Sequence, residues 1–441
     1  APSPRGRGGQ IPGTDVILTC AGRVEWSAIR RCAPPLAEKD AWMPLWLYLL
    51  LLALPGAVIA HLLHGPALVT FTLSALAIIP LAGLIGEATE SLAERVGPLV
   101  GGLLNATFGN AAEFIIGVSA LAAGLPDVVR AAIAGGIIGN ALFTLGSAML
   151  AGGWRYGLQR FQERNAGQYA LMLALAVVGL AIPSLLATVG AGAVSGSHAV
   201  HGLALHEMRL VVAPLLLISY AGYLAFSVFG VRSQRRHVGG SDGAEPQTPE
   251  ADGRDEPAPV AETSATLAAS AAPRPRSGLA EVIWRLRRRG PLFDVVSLVA
   301  ATALVAVASE LLTGAIEPLS KTLGFSSFFV GLIVLPLIGA AAEYVTAMRA
   351  ALADHMEATL SVAAGSSIQI ALLIAPLLIL VGPLVGTPLD LDFTQLELVI
   401  FGLVAALFAI ISLDGESTWL EGLQLLIFYF IVAVGAFFIP G

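Results

Sequence analysis

Beyond residue 44 the chain consists largely of apolar stretches long enough to cross a bilayer, and this feature decides most of what it can fold into. A spanning helix needs about 20 apolar residues. Eleven stretches approach or exceed that length, near 45–63, 66–86, 98–123, 128–151, 167–187, 208–230, 292–313, 325–348, 355–381, 395–413 and 420–439. Hydrophobic residues make up 56% of the chain and charged residues 12%, with a mean hydropathy of +0.80. These values lie outside the range of soluble domains. The expected fold is an all-α polytopic membrane protein of eleven transmembrane helices.

The polar segments set the organisation. Residues 1–43, rich in Arg, Gly and Pro, read as a disordered cytosolic tail without the compact apolar core and cleavage site of a signal peptide. Residues 44–65 form an extra N-terminal helix, and residues 66–231 a first five-helix repeat. Residues 232–290 are a cytosolic linker of Gly, Ser, Pro and acidic residues, ending in Arg285, Arg287, Arg288 and Arg289. Such a stretch cannot bury a core. Residues 291–441 form a second five-helix repeat. Cys20 and Cys32 both fall in the tail and define neither a disulfide scaffold nor a metal site. The basic clusters flank spans and have no interleaved aromatics, so nucleic-acid binding is not expected. The partner is the lipid bilayer.

Orientation follows from Lys and Arg, which concentrate on the cytosolic side. With the N-terminus inside, all but three of the 24 Lys and Arg face the cytosol, the exceptions being Arg130, Arg209 and Lys321. The C-terminus then lies outside. The Ala-, Gly- and Arg-rich composition points to a bacterial cytoplasmic membrane. Span 2 enters from outside and span 7 from inside, so the two five-helix repeats are inverted copies.

Two segments 230 residues apart carry one pattern: Gly109-Asn110-Ala111-Ala112-Glu113 and Gly339-Ala340-Ala341-Ala342-Glu343. An ionisable residue at membrane depth costs several kcal/mol unless it faces protein, water or an ion. Paired polar elements in inverted repeats are the architecture of secondary transporters. Asn110 and Glu113, three apart, share a helical face. Gly109, Gly339 and the alanines permit close backbone approach. Pro336 is expected to kink its helix or free a carbonyl near the site. The next helix of each half matches as well, Gly136 to Asn140 with Gly365 to Gln369, and Ser366 and Ser367 add hydroxyls.

Two carboxylates with amide, hydroxyl and carbonyl oxygens suit a hard cation such as Ca²⁺. The absence of Cys and His from these positions speaks against zinc or copper. The expected metal ligands are Glu113, Glu343, Asn110, Asn140, Gln369, Ser366, Gly109 and Gly339, with Glu113 and Glu343 also carrying protons. Burial favours the protonated carboxyl and a bound cation the ionised one. The same two groups then hold either protons or metal, which is the chemical basis of exchange.

Other readings compete. A buried Glu can pair with Arg, but the spans hold almost none. Asn140 and Gln369 can join helices rather than bind ions. Ser366 and Ser367 can bond back to helix carbonyls, and Asn105 reads as packing. Glu87 and Glu94 after span 2, and Glu310 and Glu317 at the end of span 7, share a spacing of seven. They either draw cations into the two vestibules, Glu87 and Glu310 foremost, or are solvated helix ends. His198, His201 and His206 read as solvated, and Asp414, Glu416 and Glu421 as loop chemistry.

The stretch from Gly101 to Glu113 (GGLLNATFGNAAE) resembles the first signature repeat of the calcium/proton exchanger (CAX) family. Ala77 to Ala82, with Ala88-Thr89-Glu90 after it, is similar to the helix that precedes that repeat. Gly365 to Leu372 resembles the distal half of the second repeat. Asp414-Gly415-Glu416-Ser417 followed by Trp419-Leu420-Glu421-Gly422 is similar to the family's last loop. The resemblance spans residues 68–440. It implies eleven helices, an acidic linker after span 6, and Ca²⁺/H⁺ antiport without a cofactor. Two positions depart from the family pattern: Ala340 stands where Asn is usual and Tyr344 where His is common. The second repeat thus brings one amide fewer.

The expected function is a secondary active antiporter, not an enzyme, that exports Ca²⁺ from the cytosol in exchange for H⁺ by alternating access. A Na⁺ or K⁺/H⁺ antiporter on the same scaffold is the nearest alternative, favoured by Ala340. A passive cation channel is a further one, although no stretch resembles a filter loop. A membrane-embedded enzyme has neither a His-Glu-x-x-His motif nor a Ser/His pair at membrane depth to support it.

Overall fold

A computed structural model of the protein describes residues 49–193, 203–225 and 291–439. The predicted tail (1–43), the linker (232–290), His198 and His201 lie outside the described residues, as does the side chain of His206. The described chain is almost wholly helical. A short 3₁₀ turn, Leu50–Leu52, leads into α1 (Ala53–Leu62). The first half of the chain holds α2 (Ala67–Val96), α3 (Pro98–Phe108), α4 (Ala111–Ala122) and α5 (Pro126–Tyr156). It continues through β1 (Leu158–Arg160), α6 (Glu163–Ala193) and α7 (Leu203–Ala225). The second holds α8 (Pro291–Gly314), α9 (Ile316–Leu323), α10 (Ser327–Gly339), α11 (Ala341–Leu352) and α12 (Met356–Val385). It ends with α13 (Gln395–Ile411), β2 (Glu416–Thr418) and α14 (Trp419–Phe438).

Among the described residues six helices are long and apolar enough to cross a membrane, and the bent pair α10–α11 makes a seventh. The remaining predicted stretches coincide with shorter apolar helices. One reason is local: Gly109 and Asn110 divide stretch 98–123 into two pieces, each too short to span. The outward faces are apolar. Leu171, Leu175, Val178 and Ile182 form an exposed stripe on α6, and Ile427, Ile431 and Val434 another on α14. Such stripes suit contact with lipid.

One predicted boundary is corrected. The apolar pattern ends span 2 at 86, but α2 runs on to Val96, where Gly97 at φ 86° stops it. Ala88 and Leu92 are buried, and Thr89 Oγ1 donates to Ile85 O at 2.7 Å. The helix persists because one face of its charged end is still core. Glu87 and Glu94 therefore lie on the helix, not after it.

Besides a small cluster of Ala148, Ala347 and Ala351, two large hydrophobic cores lie among the described residues. The smaller packs α2 against α8 through Ile78, Leu81, Ile85, Val305, Ala308 and Leu312. The larger holds α5, α6 and α12–α14, with Leu145, Leu173, Ile379 and Phe401 fully buried. The broken helices α4 and α10–α11 run between them. The two halves also meet through a two-stranded antiparallel ladder, with Leu158 opposite Thr418, Gln159 opposite Ser417 and Arg160 opposite Glu416. Glu421, expected as loop chemistry, closes a capping box with Thr418 at the start of α14.

Candidate cation site

The site is built on two helix breaks. α3 stops at Phe108, Asn110 leaves helical geometry (φ −107°, ψ 31°), and α4 restarts at Ala111. In the second half Ala340 breaks the helix (φ −82°, ψ 17°), and α10 and α11 meet at 58°. Glu113 and Glu343 each occupy the third position of the restarted helix. There the unbonded N–H groups and the helix dipole favour an anion. The expected kink at Pro336 is displaced. The bend falls four residues later, and the ring is accommodated by the π turn Val330–Val334 just before it.

Both carboxyl oxygens of Glu113, Oε2 of Glu343 and Oδ1 of Asn110 are buried and have no hydrogen-bond partner. Glu343 feels the charge of Glu113. A Cβ built on Gly339 would lie 3.0 Å from Glu113 Cγ, so the first glutamate packs on the glycine that precedes the second. Gly109 faces Gln369 instead, whose Oε1 would lie 3.6 Å from such a Cβ. Asn110 Nδ2 donates to Gln369 Oε1 at 2.6 Å across the two repeats. Glu113, Glu343, Asn110, Gln369, Gly109 and Gly339 are thus brought into one neighbourhood.

Asn140 is 1% exposed and lies in a π turn, Gly139–Thr144, that interrupts α5. A third π turn, Ile370–Ile374, follows Gln369 in α12. Thr144 Oγ1 donates to Asn140 Oδ1 at 3.3 Å, and Asn140 Nδ2 has no partner. Asn140 lines a cleft with Phe143, Thr144, Ala340 and Tyr344. Glu113 lines a second, narrower and apolar cleft with Ile116, Ile133, Leu335, Ile370 and Leu378. The two clefts share Gly136, Pro336 and Ala340 as walls.

Ser366 is buried beside this region. Ser367 instead ties α12 to α5, its Oγ lying 3.2 Å from Ile137 O and 3.1 Å from Ala363 O. Asn105, read as packing, is exposed. The four acidic residues at spacing seven are not equivalent. Glu87 is half-buried and interacts electrostatically with Arg349, Glu94 and Glu310 are exposed, and Glu317 pairs with Lys321 at 2.7 Å. Among the described residues no group of three or more His, Cys, Asp or Glu side chains is gathered. The remaining oxygens at the site are therefore amide, hydroxyl and carbonyl.

Residues 66–229 and 293–438 match the sodium/calcium exchanger protein family. The Ca(2+)/H(+) antiporter of Aphanothece halophytica is 38% identical over 395 residues, covering 89% of this chain and 96% of that protein. The Ca(2+)/H(+) antiporter of Synechocystis sp. is 40% identical over 392 residues, with the same coverage. The chain belongs to the calcium/proton exchanger (CAX) family of the sodium/calcium exchanger superfamily. This is a family of membrane transporters, not of enzymes. The solved structure of native YfkE superposes with a TM-score of 0.68 at 28% identity, covering 89% of this chain and 99% of that one.

Some features of this family member have only a faint trace in its sequence. Pro336 removes the N–H that would bond Leu332 O, and Gly135 packs on that carbonyl: a Cβ there would lie 1.9 Å from Leu332 O. The glycine pair Gly135-Gly136 is the signal that sequence offers for this approach. The π turns have no simple residue signature.

Proposed function

We propose that the protein exports Ca²⁺ from the cytosol in exchange for H⁺, with Glu113 and Glu343 carrying either ion. The observation that supports this most directly is the set of buried, unpartnered oxygens on Asn110, Glu113 and Glu343 at two helix starts. Unpaired buried carboxylates are costly. Two protonated carboxyls carry no net charge, and neither do two carboxylates around one Ca²⁺. The doubly ionised empty site is the penalised state. A carrier that crosses only when loaded couples the two fluxes.

In this reading all eleven predicted stretches cross the membrane, with the N-terminus in the cytosol of a bacterial cell and the C-terminus outside. The cleft beside Asn140 and Tyr344 then opens toward the cytosol and the one beside Glu113 and Ile133 toward the outside. Alternating access connects the site to each in turn. Asn110, Asn140, Gln369 and Ser366 contribute oxygens or hold those that do. Glu87 and Glu310 stand at the two mouths. A second reading, Na⁺ or K⁺/H⁺ exchange, is favoured by Ala340, which leaves the second half one amide short.

Dequenching of a ΔpH-sensitive dye in inside-out vesicles separates the two. Ca²⁺ should release the proton gradient at lower concentration than Mn²⁺, Na⁺ or K⁺. Release by Na⁺ or K⁺ alone would establish the second reading, and Ca²⁺ flux without proton movement would overturn both.

A further inference from the structure

We propose that Asp294 is a positioning residue for exchange, clamping α2 to α8 at one end so that the pair moves as a single body. The motion it serves is the alternating access of the reading above. α2 and α8 make the most extensive helix–helix contact among the described residues and share their own hydrophobic core. At one end of that contact Asp294, 3% exposed, accepts from Ser91 Oγ at 2.8 Å and pairs with Arg95 Nε at 3.3 Å. Asp294 lies in the first turn of α8 and Arg95 in the last turn of α2. Each charge therefore sits at the helix end whose dipole favours it.

The ion pair is a weak source of stability, since the Arg95 side chain is 41% exposed and solvent screens its charge. What it does fix is geometry: a carboxylate held by two donors leaves little freedom to slide or twist. The other end of the pair has no such device. Glu87 and Glu94 repeat as Glu310 and Glu317. In that register Ser91 and Arg95 correspond to Gly314 and Pro318, and Asp294 to Phe71. None of those three side chains can hydrogen-bond. The polar clamp sits at the end that the Arg and Lys distribution puts in the cytosol, and at the other end the contact is apolar, through Phe71, Leu312, Ile316 and Leu319. Neither Ser91 nor Arg95 lines the clefts beside Glu113 and Tyr344.

Two kinds of measurement test this. In proteoliposomes, Asp294→Asn should lower the maximal Ca²⁺ exchange rate about tenfold, with KM changed less than about twofold, since it leaves ion binding intact. The exchanged pair Arg95→Asp with Asp294→Arg should recover most of the rate. Should that pair fail to fold, Arg95→Lys should behave as wild type and Arg95→Gln as Asp294→Asn.

The second measurement needs no transport. Spin labels are placed at Val96→Cys and Leu292→Cys, or at Leu68→Cys and Val307→Cys, with Cys20 and Cys32 replaced by Ser. All four label sites are exposed. Both pairs should give narrow distance distributions, and Asp294→Asn should broaden the first. An unchanged first distribution in that variant overturns the clamp, whichever ions the protein exchanges. So does a rise in KM that matches the loss of rate.

Discussion

The amide of Asn110 bonds Gln369 across the two repeats, and the mirrored contact is missing. Gln369 corresponds to Asn140 and Asn110 to Ala340, so the second bond would run from position 340 to Asn140. Ala340 has no amide to offer, and Asn140 keeps one polar atom without a partner. Turning its amide over would only change which atom that is. One substitution thus makes a nearly symmetric site lopsided.

Ala340→Asn should repair the symmetry. Ala340 and Asn140 line the same cleft, so the new amide has both a partner and space. The apparent KM for Ca²⁺ should fall about two- to tenfold, in keeping with the ~0.5–1.5 kcal/mol of one net polar contact. Na⁺ transport should stay level or weaken. A thermally stable variant with unaltered or higher KM for Ca²⁺ would show that position 340 does not serve the ion.

Glu113→Gln and Glu343→Gln should each reduce ΔpH-driven Ca²⁺ flux to the level of empty vesicles. The amide keeps the volume but can neither ionise nor carry a proton. Size-exclusion profiles should match wild type, because burying a neutral amide costs less than burying a carboxylate. Substantial flux in either variant rules out the two-carboxylate mechanism.

Gly135→Ala should be poorly tolerated although it adds only one methyl group. That methyl would lie 1.9 Å from Leu332 O and 2.7 Å from Pro336 Cγ, both on a rigid element. Overpacking of this kind costs ~1–3 kcal/mol, which should show as a clear drop in melting temperature. Gly139→Ala, in the same helix with open space around it, is the control and should melt near wild type. Equal melting of the two would mean that α5 and α10 do not approach so closely.

Deleting residues 240–275 should leave folding and transport intact, since that composition cannot pack a core. Membrane expression followed by vesicle transport checks this. A deletion that inserts but does not transport would assign the linker a part in the cycle.

How far the sequence can be read depends on the range of the interactions. The membrane class, the paired glutamates and the missing amide at 340 are local: apolar length, a repeated motif, one changed residue. The end of α2 is misleading because Glu87, Glu90 and Glu94 interrupt the apolar stretch that marks the span. The buried positions between them, Ala88, Thr89 and Leu92, show the 3.6-residue period that continues the helix. The bond from Asn110 to Gln369 joins residues 259 apart, and no motif announces which amides will meet. Asp294 has a weak signal, a lone acid in the first turn of an apolar stretch. Its partners Ser91 and Arg95 become visible only once α2 and α8 are laid side by side.

The ladder between β1 and β2 bears on how the chain could be divided. It pairs a loop of the first half with a loop of the second through backbone bonds, and Arg160 with Glu416 marks its register. Two polypeptides cut anywhere in 232–290 would carry complementary edges and complementary apolar faces. The covalent join then matters for stoichiometry more than for assembly. In that sense the protein is a heterodimer whose subunits happen to be fused.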